Sequence, residues 1–281
     1  MVGKAGSWAA IAVSTALMAS LIAVPVAKAD ATSPSCSVPD ALMRFDGAMA
    51  RTAARLAERH ALRIVALGSS STAGAGATSP ANSYPSRLEA ELRNRFPAAD
   101  IVVLNRGIGG EDAREMLARL DKSVIAEHPD LVLWQVGSNA IMDDEKLSDE
   151  AALVRSGLAR LKAAGIDVVL VDPQFVPKII SKPKAAAMVR LLETVARDQQ
   201  IGVFHRFAIM SHWRLAQRLA FAQFTAPDGL HMNDWSYDCI AKLMASALVN
   251  ATSQPALVSQ PAPVGRPVPV ATQRVASAAR S

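Results

Sequence analysis

Five short runs of β-branched and aliphatic residues, separated by longer amphipathic stretches, constrain the fold of this chain more than any other feature. The runs are 63–67 (Arg-Ile-Val-Ala-Leu), 101–104 (Ile-Val-Val-Leu), 131–136 (Leu-Val-Leu-Trp-Gln-Val), 167–171 (Asp-Val-Val-Leu-Val) and 201–204 (Ile-Gly-Val-Phe). Each is short, apolar on both strand faces and bounded by Gly, Asn or Asp. Strands of a parallel sheet read this way, because helices cover the sheet on both sides. Between them, 84–96, 112–127, 149–164, 184–199 and 235–249 read as helices. In the second of these, Met116, Leu117, Leu120, Val124 and Ile125 recur at helical spacing. Asp112 precedes its Ala-Arg-Glu start and Pro129 closes it. The alternation predicts the α/β class: a three-layer α/β/α sandwich with a doubly wound, five-stranded parallel sheet. In such sheets ligands bind beyond the carboxyl ends of the strands. No internal repeat of solenoid length is evident.

Both ends of the 281-residue chain read as dispensable to that sandwich. Residues 1–29 have the pattern of a secretory signal peptide: Lys4 near the start, an uncharged and mostly apolar run from Trp8 to Ala27, then Ala27-Lys28-Ala29 as an A-x-A cleavage site. A retained membrane anchor is the competing reading, which Ser14, Thr15, Ser20 and Pro25 weaken by thinning the apolar run. The expected organisation is a signal peptide over 1–29, a lead-in over 30–58, one folded domain over 59–250 and a disordered Pro/Ala-rich tail over 251–281. The tail has five prolines, three arginines and no acid, a composition that favours solvated, extended backbone. The formal net charge is +5. It falls to +3 once Lys4 and Lys28 leave with the signal, and no Lys/Arg block is interleaved with aromatics, so nucleic acid is not an expected partner. The only two cysteines, Cys36 and Cys239, are expected to bridge, since export places the chain in an oxidising compartment, periplasmic or extracellular.

Four separated stretches carry chemistry. Gly68-Ser69-Ser70-Ser71-Thr72 follows the first strand and places hydroxyls on a tight turn. By itself this is a Ser-rich turn: it fails the phosphate-loop and dinucleotide patterns, and Thr72 breaks the G-x-S-x-G elbow. Asn105-Arg106-Gly107-Ile108-Gly109-Gly110 follows the second strand, and its glycines let backbone N–H groups approach a ligand, with Gly110 opening the next helical region. Gly137-Ser138-Asn139 follows the third; an Asn there either caps a helix or donates its amide to an oxyanion. Asp228-Gly229-Leu230-His231 places a carboxylate three residues before an imidazole, ahead of the last helix. A metal site is not expected, since no second His or Cys cluster has ligand spacing. His60, His128, His205 and His212 read as surface or core residues, though His205 and His212 flank the region before this loop.

In this order the four stretches resemble the blocks of the SGNH hydrolases, the GDSL-type esterase and lipase superfamily. The resemblance covers about 63–249 and implies the flavodoxin-like SGNH fold. It implies Ser70 as nucleophile with Asp228 and His231 completing a triad. It also implies an oxyanion hole from the backbone of Ser70 and Gly110 and the side chain of Asn139, with no metal or organic cofactor. Ser69 and Ala140 stand where the family usually has Asp, which bears on substrate preference and loop rigidity. The activity so implied is that of an exported serine esterase. Its expected substrate is a small molecule or polysaccharide carrying short acyl groups, acetyl on carbohydrate first. Lipid or lysophospholipid hydrolysis and acyl transfer to a sugar hydroxyl are the enzymatic alternatives; a catalytically silent carbohydrate-binding module is the alternative of another class. Asp172-Pro173-Gln174-Phe175-Val176-Pro177, after the fourth strand, is expected to overhang the cleft or to form a rigid crossover turn.

Overall fold

The structure is a computed structural model that describes residues 1–3, 34–45, 47 and 49–253. Nearly all of the expected signal peptide and of the expected tail lie outside the described residues. Two units divide the chain, Met1–Ser35 and Cys36–Ser281; the second holds all five strands.

These are β1 (Leu62–Gly68), β2 (Ile101–Gly107), β3 (Leu131–Gln135), β4 (Asp167–Val171) and β5 (Gly202–Phe204). They form one sheet in the order β2-β1-β3-β4-β5, every pairing parallel. Every residue of β3 is buried, as its uninterrupted apolar run requires. The Tyr84–Arg95 and Asp234–Ser253 helices pack together on one face, and Leu147–Ala163 and Ala185–Gln199 on the other. The close fit shows at Gly157, where a Cβ would sit 2.3 Å from the Trp134 ring of β3. The chain leaves β1 for one side of the sheet and enters β3 on the other, so the strand order reverses between them. Crevices for ligands open at such a reversal.

Two elements differ from the sequence reading. The stretch 112–127 is not one helix: it runs as Ala113–Ala118, then Leu120–Ser123, then a 3-10 turn at Ile125–Glu127. Asp112 caps the first piece through a capping box with Glu115. The break falls at Arg119, whose side chain turns back toward the strand ends, while Met116, Leu120 and Val124 still face the core. β2 also extends three residues beyond 104, so Asn105, Arg106 and Gly107 are part of the strand. The lead-in holds a further helix, Ala50–Ala57, pinned to the amino ends of the strands. Thr52 donates twice to Asp167, and Arg51 and Arg55 both meet Asp130.

Candidate active site

Ser70 opens a single helical turn, Ser70–Ala73, at the carboxyl end of β1. His231 Nε2 lies 2.9 Å from its Oγ, and His231 Nδ1 lies 2.5 Å from Asp228 Oδ2. An imidazole that donates from Nδ1 presents a lone pair at Nε2, which can accept the hydroxyl proton. The other carboxylate oxygen of Asp228 accepts the backbone N–H groups of Leu230 and His231, at 2.9 and 3.0 Å. Partial burial works against this carboxylate, but those two N–H groups and the imidazole outweigh it and hold its pKa down to about 2. The loop is closed by an antiparallel bridge between Thr225 and Met232 and by a bond from Ala226 N to His231 O. Gly229 makes the turn at φ +66°, a conformation costly for side chains.

The serine turn is held from beneath. Gln135 Oε1, at the end of β3, accepts from Ser69 N, Ser69 Oγ and Thr72 Oγ1. Asn105 Nδ2 donates to the Thr72 carbonyl at 2.8 Å. Gly107 has a packing role: a Cβ there would sit 2.2 Å from Ala73 N, so glycine lets β2 lie against the serine turn. Gly109 is the glycine that comes close to Ser70, its Cβ position 3.9 Å from that of the serine. Gly110 turns at φ +87°, two residues ahead of the helix cap at Asp112, with open space where a side chain would project.

Asn139 sits in the Ser138–Met142 helical turn after β3 and donates from Nδ2 to the Glu111 carbonyl at 2.7 Å. Glu111 is itself clamped by Arg119, at 2.9 and 2.8 Å from Nε to its two oxygens. Arg119 also donates to the Arg106 carbonyl at 2.9 Å. The structure thus gathers Ser70, His231 and Asp228 by direct bonds, and ties Asn139 to the residue after Gly110. A hydroxyl beside a lone-pair nitrogen, with amide donors on the adjoining loops, can carry out acyl transfer.

The Asp172–Pro177 stretch packs against the loop that carries His231: a Cβ at Gly229 would sit 3.8 Å from Pro177 Cβ. Asp172, Pro173, Gln174 and Val176 are buried, and the fully buried Arg206 donates from Nε to the Asp172 carbonyl at 2.9 Å. Burial pushes the Asp172 carboxyl up to about 8, against the pull of the Phe207 N–H and of Arg206. His205 lines a separate cleft of about 680 Å³ with Lys162, Glu193 and Arg197. Gln135, Glu111, Arg119 and Gln174 carry no motif; only a strand-end position distinguished any of them.

Residues 35–254 match the non-GDSL lipase-like family. No curated protein sequence matches the chain. Among solved structures it is similar to a two-domain esterase active on acetylated mannans, co-crystallized with mannopentaose, at 22% identity and a TM-score of 0.62. That match covers 81% of this chain and 59% of the esterase, so the chain spans less than two thirds of it. It is also similar to a single-substitution mutant of an acetyl-xylooligosaccharide esterase from Geobacillus, with 20% identity, a TM-score of 0.56, and coverage of 71% of this chain and 97% of that one. A lipase/acylhydrolase from Enterococcus faecalis matches at 22% identity and a TM-score of 0.55, covering 66% of this chain and 93% of the other. At these identities the likeness establishes the SGNH hydrolase fold.

Proposed function

The chain belongs to the non-GDSL lipase-like family, and from that premise we propose that it is a carboxylic ester hydrolase of the SGNH superfamily, an exported serine esterase removing short acyl groups, acetyl above all, from carbohydrate. The observation that carries the catalytic part is the 2.9 Å separation of Ser70 Oγ and His231 Nε2. In the proposed reaction His231 takes the Ser70 proton as Oγ bonds to the ester carbonyl carbon. The carbonyl oxygen becomes an oxyanion, received by the N–H groups of Ser70 and Gly110 and by the Asn139 amide. Collapse breaks the bond to the alcohol oxygen, which leaves with the proton from His231. Water then repeats the sequence on the acyl-serine, giving its proton to His231 and releasing the acid. Asp228, with its pKa near 2, remains ionised and stabilises the imidazolium at each step.

The carbohydrate part is supported by the acetyl-mannan and acetyl-xylooligosaccharide esterases among the similar structures, and export by the sequence of residues 1–29 and the Cys36–Cys239 bridge. Among the described residues, no helix is long and apolar enough to cross a membrane. One observation favours a second reading, longer acyl chains. Ile108, bonded through its N–H to the Gly68 carbonyl, leaves an apolar side chain 48% exposed beside the serine turn. The test is hydrolysis of p-nitrophenyl esters from acetate to palmitate by the wild type and by Ser70→Ala. We expect acetate to be the best substrate and the variant to lose activity about 10⁴-fold or more. Equal rates in the two proteins would remove the esterase reading; a maximum at long chains would replace the carbohydrate one.

A further inference from the structure

Gln174 is the third residue beyond β4, and it is 2% exposed. Its Nε2 donates to the Leu230 carbonyl at 3.1 Å. Its Oε1 accepts from Ser138 Oγ and from the Arg206 guanidinium, each at 2.9 Å. Leu230 adjoins His231, and Ser138 adjoins Asn139. A guanidinium only donates and a backbone carbonyl only accepts, so the orientation of the amide is forced and the Ser138 hydroxyl must be the donor. Among the described residues no hydrogen bond joins segment 137–142 directly to the 226–232 loop. Gln174 is the side chain that bridges them, aided by a backbone bond from Lys178 N to Gly229 O at 3.0 Å in the same stretch.

We propose that Gln174 is a positioning residue for ester hydrolysis, a role that rests on the serine-esterase reading above: its single amide sets the distance between the loop that carries the base and the loop that carries the Asn139 donor. The carbonyl being attacked must meet the serine, the base and the amide donor together. A displacement of about 1 Å between those loops is enough to lower turnover on the order of 100-fold without removing any group that touches substrate. Asp228 and His231 travel in one loop, so their mutual bond survives such a displacement.

Two variants separate positioning from folding. Gln174→Glu keeps the volume and the acceptor for Ser138 and Arg206, but it turns a carboxylate oxygen toward the Leu230 carbonyl. Gln174→Met keeps the length and removes all three bonds. The measurements are kcat and KM on p-nitrophenyl acetate, the pH profile of kcat/KM, and the urea midpoint, with wild type and Ser70→Ala alongside. For Gln174→Glu we expect kcat to fall about 10- to 100-fold, KM to stay within about twofold, and the pH profile to keep its shape. If Gln174→Met does not fold, the glutamate variant carries the test. A folded Gln174→Glu with wild-type kcat overturns the proposal, as does a loss of kcat that merely follows the unfolded fraction. Equal activity in wild type and Ser70→Ala sinks the esterase reading instead, so the two failures are distinguishable.

Discussion

Asn139 carries two amide protons, and one of them goes to the Glu111 carbonyl, 2.7 Å away. That bond fixes the plane of the amide and leaves the second N–H for another acceptor. In the proposed reaction this acceptor is the oxyanion, so Asn139→Ala is expected to lower kcat about 10²- to 10³-fold with little change in KM. Steady-state kinetics on p-nitrophenyl acetate checks this; a variant changed only in KM would assign Asn139 to ground-state binding. The candidate site was legible at the residue scale where its groups lie in short motifs: Ser70, Asn139, Asp228 and His231 all stand in recognisable local patterns. Its supports were not legible. Glu111 and Arg119 are separated by a helical turn, and their pairing depends on a break that helical periodicity hides. Gln135 and Gln174 are single polar residues at strand ends, and nothing local distinguishes an amide that bridges loops from one that faces water.

Among the helices, Leu147–Ala163 carries a cost that its sequence conceals. Glu150 lies in its first turn, where a carboxylate is ordinarily favoured by the helix dipole. Here the group is fully buried, and neither oxygen has a hydrogen-bond partner among the described residues. Burial first, then the nearby Glu145 and Asp112 carboxylates, push its pKa from 4.5 up to about 7, against the pull of Arg114. Between those two values the folded state holds a proton that the unfolded state has released. Stability therefore falls as pH rises from about 4.5 to about 7 and stays reduced above that range. Glu150→Gln removes the titration. It should match wild type near pH 4 and be more stable at pH 8 by about 1–3 kcal/mol. Urea unfolding across this pH range is the measurement, and parallel curves for the two proteins would contradict the assignment. At this scale the five strands and most helices were legible to within a few residues, because their apolar spacing survives in the fold. The 112–127 stretch was misread because Met116, Leu120 and Val124 keep a helical period straight through a broken helix.

Over the whole molecule, one covalent bond ties the segment ahead of the first strand to the last helix. Cys36 and Cys239 lie 203 positions apart in sequence, and their Cα atoms are 5.2 Å apart in the disulfide. The bridge fastens the lead-in to the last helix, where Cys239 is fully buried. Closing so long a loop restricts the unfolded chain, so the double variant Cys36→Ser/Cys239→Ser should lose about 2–4 kcal/mol of stability. The check is a urea midpoint for that variant beside wild type under oxidising and reducing conditions. A wild-type midpoint indifferent to reductant would mean that the bond contributes nothing. The amino acid sequence alone determined the layered architecture, since strands apolar on both faces can be buried only between two layers of helix. It also determined which hydroxyl, imidazole, carboxylate and amide were available, because each sits in a short local pattern. The tertiary structure decided what brings them together. Strand order reverses between β1 and β3, and buried amides, a clamping arginine and a Gly107–Ala73 contact hold segments far apart in sequence at one sheet edge. Those contacts depend on distances through space, to which spacing along a chain has no fixed relation.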